Sequence, residues 1–155
     1  MDTELDRPRW RSTANVRLLH TLQVGVEYNP VAGEIAPLAT WFLMTEGPSR
    51  PAVFLGTSSD RIGSPEGKQA TYLTAAKQLP WYPIAPYVSL NYSEWDDRFN
   101  VPFGANAWIG AGFSVQPMYD GDRGHLVLNY AAGRCSASLL YVWFEKFGAA
   151  VSAGF

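Results

Sequence analysis

Residues 146–155 read KFGAAVSAGF, with Phe147, Ala149, Val151, Ala153 and Phe155 at every second position and Gly148, Ala150, Ser152 and Gly154 between them. Side chains of a strand point alternately to its two faces, so this stretch has one apolar face and one nearly featureless face. The same two-sidedness recurs upstream. Residues 13–29 place Val16, Leu18, His20, Leu22, Val24, Val26 and Tyr28 on one side, and Arg17, Leu19, Thr21, Gln23, Gly25, Glu27 and Asn29 on the other. Residues 105–116 set Ala107, Ile109, Ala111, Phe113 and Val115 against Trp108, Gly110, Gly112, Ser114 and Gln116.

Pro, Gly, Asn and Asp punctuate the chain at YNPVAGE, EGPSRP, SSDRIGSPEGKQ, LPWYPIAP, SEWDDRFNVPFG, MYDGDRGH and AAGRCS. Such spacing predicts an all-β chain of eight extended segments, 13–28, 35–45, 52–58, 69–79, 85–94, 105–116, 125–133 and 136–155. Most are longer than the mode of about five or six residues for soluble strands. They approach the ~9 to 11 residues of a tilted membrane strand.

Alternation alone does not choose between water and lipid, because soluble sheets also alternate. Two features favour lipid. Aromatic residues gather near segment ends (Tyr28, Trp41, Trp81, Tyr82, Tyr92, Trp95, Tyr119, Tyr130), where a membrane interface holds amphipathic rings. The polar faces carry Gly, Ser, Ala, Thr and Asn where a water-facing surface would carry Lys and Glu, and charged residues make up only 17% of the chain, against about 25% usually.

Composition excludes several classes. No apolar run approaches the ~18 residues of a membrane helix. With a net charge of −2 and no basic stripe, nucleic acid is not an expected partner. The opening MDTELDRPRWRS has no apolar core of a secretory signal, which leaves an intracellular protein or a chain whose signal has been removed. The single Cys135 has no internal disulfide partner and reads as an inert turn residue.

The tail resembles that of small bacterial outer-membrane β-barrels, which end in an aromatic residue, usually Phe, behind apolar residues at alternate positions. The resemblance implies an antiparallel up-and-down transmembrane β-barrel of eight strands, residues 13–155, preceded by a polar tail, 1–12. It implies a bacterial outer-membrane location after removal of a signal peptide, lipid as the surrounding solvent, and an assembly signal at Phe147, Ala149, Val151, Ala153 and Phe155 read by the barrel-assembly machinery. GTSSDRIGSPEG resembles stretches of uncharacterised outer-membrane proteins, which implies a family and no function.

An even strand number puts both termini on the periplasmic side. The expected outward loops are then NPVAGE, SSDRIGSPEGKQ, EWDDRFNVPFG and GRCS, and the expected inner turns EGPSRP, LPWYP and MYDGDRG. Antiparallel closure of the last segment on the first sets Glu27 opposite Lys146 as a lumen-facing structural ion pair. A turn at FEKFG, giving nine strands, is the alternative to one long last segment. The interior of an eight-stranded barrel is about filled by side chains, here Trp108, Arg17, Glu27 and Gln23, so a diffusion pore is not expected.

Charge collects in SSDRIGSPEG and SEWDDRF, which crowd Asp60, Arg61, Asp96, Asp97 and Arg98 at the outer rim. Asp60, Glu66, Glu94, Asp96 and Asp97 offer oxygens to a cation or to lipopolysaccharide. Their spacing is not that of an EF-hand, and solvated loops with local salt bridges are the expectation, with no metal and no cofactor. His125, Asp120, Asp122 and several serines could serve a hydrolase on paper. His125 follows an expected inner turn, however, and Val127 stands where lipid A deacylases have a serine, so no catalytic residue is assigned. His20 reads as a neutral imidazole near the inner interface.

These readings converge on a non-enzymatic integral outer-membrane barrel of structural or interaction type, with a periplasmic or surface protein as partner. Two alternatives stay open: a soluble lipocalin-like barrel carrying a small apolar ligand, and an outer-membrane lipid-modifying enzyme.

Overall fold

The structure, a computed structural model, describes residues 11–30, 33–61, 64–65 and 67–154. Every regular element in it is a strand: β1 (Ser12–Leu19), β2 (Leu22–Asn29), β3 (Glu34–Met44), β4 (Ala52–Ser59), β5 (Gln69–Ala76), β6 (Ile84–Ser93), β7 (Arg98–Asn100), β8 (Phe103–Gly110), β9 (Phe113–Tyr119), β10 (Gly124–Ala132), β11 (Cys135–Val142) and β12 (Lys146–Ala153). They form one antiparallel up-and-down sheet in the order β1-β2-β3-β4-β5-β6-β8-β9-β10-β11-β12, with β7 also on β6. β6 is long enough to hold two partners. Ile84–Val88 pair with β8 and Asn91–Ser93 with β7, on either side of a Ser89 N–H donated to the Pro102 carbonyl at 2.8 Å.

The strand number is twelve where the sequence predicted eight, and the difference has three physical sources besides the short β7. The first segment folds at His20-Thr21, with Leu19 opposite Leu22. The sixth folds at Ala111-Gly112, both at positive φ (51° and 81°), with Gly110 opposite Phe113. The last folds at Trp143-Phe144, both left-handed (φ 55° and 57°), and the Glu145 N–H returns to the Val142 carbonyl at 3.0 Å. Two consecutive left-handed residues make a type I′ turn, the geometry whose twist matches that of the flanking strands. The turn at the last segment is the alternative that the sequence offers to a single long strand.

Contacts divide the chain into two compact units, Met1–Thr45 with Ala52–Thr74 and Leu90–Asn100, and Glu46–Pro51 with Ala75–Ser89 and Val101–Phe155. Each unit has the same inverted polarity. In the first, Glu27, Asn29, Ser59, Thr74, Asn91 and Ser93 are buried, while the alternating Val26, Tyr28, Leu73 and Leu90 are exposed. In the second, Ser89, Ser114 and His125 are buried, while Ile109, Leu128, Leu139 and Phe147 are exposed. Among the described residues the buried hydrophobics are Ala36, Ala70 and Val142 alone. The side away from solvent is therefore polar, held by hydrogen bonds such as Ser138 Oγ to Asn129 Oδ1 at 2.6 Å and Asn91 Nδ2 to Asn100 Oδ1 at 3.1 Å.

Among the described residues the sheet path begins at β1, whose neighbour is β2, and ends at β12, whose neighbour is β11.

Candidate functional site

The two charged loops of the first unit form one clasp. Asp60, just past the end of β4, is 1% exposed. Its Oδ1 accepts the Arg61 N–H at 2.8 Å, and its Oδ2 accepts the Ser93 hydroxyl at 2.7 Å and the Trp95 N–H at 3.2 Å. The Ser93 hydroxyl oxygen in turn accepts the Asp96 N–H at 3.1 Å. A buried carboxylate demands this degree of satisfaction, since each unmet oxygen would carry its full desolvation cost.

Arg61 completes the clasp. Its guanidinium meets Asp96 at 2.8 and 3.1 Å and lies 4.7 Å over the Trp95 ring. Arg98 reaches Asp96 at 3.5 Å, and the Tyr92 hydroxyl donates to Asp97 at 2.6 Å, with Asp97 itself left-handed (φ 50°). Of the rim residues named from the sequence, Asp60, Arg61, Asp96 and Arg98 thus belong to one bonded group, and Asp97 forms a separate pair with Tyr92 beside it. Ser93 and Trp95 complete the group, and neither they nor Tyr92 were singled out for these bonds. The S-x-x-D spacing of Ser93 and Asp96 was a legible signal, since such serines bond the backbone three residues on.

Glu27 is buried on the polar side of β2. Its Oε1 accepts the Ser59 hydroxyl at 2.6 Å and its Oε2 faces Arg11 at 3.4 Å. Lys146 stands opposite Val142 at the start of the β11–β12 ladder. Glu27 thus belongs to the first unit and Lys146 to the second. Of the assembly-signal residues, Phe147, Ala149, Val151 and Ala153 share one face of β12, paired with Tyr141, Leu139, Ala137 and Cys135. Phe155, Glu66 and residues 1–10 of the polar tail lie outside the described residues.

The second unit brings His125 and Asp120 together. His125 opens the polar side of β10 and is 5% exposed. Its Nε2 lies 2.7 Å from Asp120 Oδ2, and its Nδ1 has no hydrogen-bond partner among the described residues. Asp120 Oδ1 accepts the N–H groups of Asp122 and Arg123 at 2.9 and 2.8 Å, an Asx-type turn that fixes the carboxylate. Burial pushes the Asp120 carboxyl up, but the hydrogen bond to His125, the two backbone N–H groups and the His125 charge together outweigh it and hold the carboxyl below the usual carboxylate range. Arg123 lies 4.6 Å over the Trp143 ring, joining this turn to the β11–β12 turn.

Among the described residues no group of three or more His, Cys, Asp or Glu side chains is placed to hold a metal ion. Comparison with protein-family models, with curated proteins and with solved structures returns no match.

Proposed function

We propose that this chain forms the wall of an integral outer-membrane β-barrel of structural or interaction type, its polar side filled by side chains and its clasped loops offered to a periplasmic or surface partner. The observation that carries this reading is the inverted polarity of the sheet. Fully burying a Val, Leu, Ile or Phe is worth ~1.5 to 3 kcal/mol, yet such residues are exposed along β2, β6, β8, β10, β11 and β12 while Asn, Ser, Thr and Glu are buried. Lipid makes that arrangement favourable, and water does not. A lipocalin-like barrel keeps apolar side chains inward around its ligand, which is the opposite pattern.

The test is expression and refolding with and without detergent. Inclusion bodies that refold only in micelles or vesicles, and that migrate differently on gels before and after boiling, are the expected result. A monodisperse soluble monomer in detergent-free buffer would reject the membrane reading.

A second reading, a lipid-modifying enzyme, draws on the buried His125–Asp120 pair at 2.7 Å. Histidine oriented by a carboxylate is a general base in search of a nucleophile. Lipid A mass spectra from cells carrying the wild type and His125→Ala decide it, with identical spectra counting against the enzyme.

A further inference from the structure

We infer that the polar side of the sheet where β10, β11 and β12 meet the 143–145 turn binds a terminal phosphate group, held by His125 Nδ1, Trp143 Nε1 and the Lys146 ammonium. All three residues lie in the second unit. His125 pairs with Val142 and Val142 with Lys146, so these side chains stand in one row on one face, with Val142 buried between the other two. Neighbouring strands run about 4.8 Å apart, which sets His125 and Lys146 about 10 Å apart at the backbone.

The Trp143-Phe144 turn supplies the third group. Phe144 goes to the apolar face, where its ring meets Tyr141 edge-on at 5.6 Å and covers Gly124 so closely that an added Cβ would lie 2.8 Å from it. Trp143 goes the other way, over Arg123, which shares the face of His125 two residues on. Both turn residues are left-handed, a conformation that Asn and Gly adopt more readily than bulky rings. Strain of this kind gathers at ligand sites.

Three polar groups in this corner lack a partner among the described residues. His125 is 5% exposed, and with Nε2 against Asp120 its Nδ1 is unbonded. Trp143 Nε1 is likewise buried and unbonded. Lys146 is half-buried and forms no ion pair or hydrogen bond. Buried polar groups are ordinarily satisfied, so two orphans beside an unpaired ammonium point to a ligand. The nearby acids do not compete for it: Asp120 is met by His125 and two backbone N–H groups, Asp122 lies 3.6 Å from Arg123, and Glu145 is exposed.

Trp143 Nε1 and Lys146 only donate, whereas Nδ1 of an imidazole whose other nitrogen gives its proton to Asp120 accepts. The matching ligand combines negatively charged oxygens with a hydroxyl. A phosphate monoester, with its second pKa near 6, is such a group. A carboxylate has no proton to give, and an alcohol has no charge to answer Lys146. Inorganic phosphate and the headgroup of phosphatidic acid share this chemistry.

The experiment titrates the refolded chain with inorganic phosphate at a pH of about 6, following the indole N–H resonance that Trp143→Phe removes. The expected result is a saturable shift, with the dissociation constant raised about tenfold by Lys146→Gln and by His125→Gln, each of which weakens one charge-assisted contact. Arg134→Gln, the same loss of charge in the exposed turn before β11, should leave the constant unchanged, and acetate should give no shift. In nanodiscs of phosphatidylcholine, a shift on adding phosphatidic acid assigns a lipid headgroup as the source, and a shift with free phosphate alone assigns a soluble one.

No shift in either arm would overturn the inference. So would a shift that acetate reproduces, that Lys146→Gln and His125→Gln leave unchanged, or that Arg134→Gln weakens equally. The titration runs in micelles or in detergent-free buffer, whichever refolds the chain, so it stands apart from the membrane reading. The site shares His125 with the enzyme reading but needs no turnover, and identical lipid A spectra would reject the enzyme and leave the site standing.

Discussion

Asp60 receives the Ser93 hydroxyl at 2.7 Å, a bond across 33 residues of sequence that fastens the loop after β4 to the last residue of β6. Neither group is accessible to water, Asp60 being 1% and Ser93 0% exposed. Removing the donor therefore leaves a buried carboxylate oxygen short of a partner while the Trp95 N–H still holds it in place. Ser93→Ala is expected to cost ~1 to 3 kcal/mol in urea unfolding followed in micelles. Asp60→Ala should cost more, since three donors lose their acceptor together. A loss below ~0.5 kcal/mol for Ser93→Ala would mean that the clasp opens to water readily, contrary to its burial.

The Asp120 carboxyl titrates below its unfolded value of about 3.9. A depressed folded value contributes stability that is present above the unfolded value and disappears as pH falls through the folded one. His125→Gln removes the charge and weakens the hydrogen bond that outweigh burial. The Asp120 titration, read from its side-chain carboxyl carbon by NMR, should move up in the variant, and the acid-unfolding midpoint should move up in pH with it. An unmoved Asp120 titration would show that the backbone N–H groups of Asp122 and Arg123 hold the carboxylate unaided.

The Ala111-Gly112 turn separates two backbone demands. Ala111 is left-handed (φ 51°) with an ordinary side chain, a conformation that costs an L-residue ~1 to 2 kcal/mol and that Asn adopts more readily. Ala111→Asn should raise stability by ~1 kcal/mol. Gly112 has φ 81°, and a Cβ added there would lie 2.5 Å from the Ala131 carbonyl oxygen, a backbone atom that has no room to give. Gly112→Ala is expected to destabilise by at least ~1 kcal/mol, measured beside Ala111→Asn in the same unfolding series.

What the sequence made legible was the pair of faces, more than the number of strands. Away from the turn, each of the three hidden hairpins pairs even numbers with even and odd with odd, as Val16 with Val24, Ala107 with Val115 and Val142 with Lys146 show; only the pairs past a register shift at the turn, Leu19 with Leu22 and Gly110 with Phe113, depart from it. A hairpin of that parity leaves the alternation running unbroken through the turn, so a fold is indistinguishable from a long straight strand. The β10–β11 hairpin pairs Leu128 with Leu139, switching parity, and its break at Gly133 was visible. Turn chemistry was also disguised. Trp143-Phe144 contains neither Asn nor Gly, and the glycines beside Ala111 read as small lumen residues. The rim cluster was legible because charge is scarce elsewhere. The partners Ser93 and Ser59 were hidden among many serines whose burial only tertiary pairing decides.

The inverted faces lead to a substitution whose effect depends on the solvent. Leu128 sits at the middle of β10, 39% exposed, on the face shared with Leu139 across the β10–β11 ladder. If that face meets water, Leu128→Arg is an ordinary surface change, worth within ~0.5 kcal/mol. If it meets hydrocarbon, arginine at mid-strand costs ~2 to 4 kcal/mol, and the cost falls toward the strand ends. The membrane reading therefore predicts a loss of that size for Leu128→Arg in vesicles. It predicts a much smaller one for Tyr130→Arg, two residues nearer the end of the strand, with both read by denaturant unfolding in the same lipid. Equal and negligible effects at the two positions would place water against this face and return the chain to the soluble class.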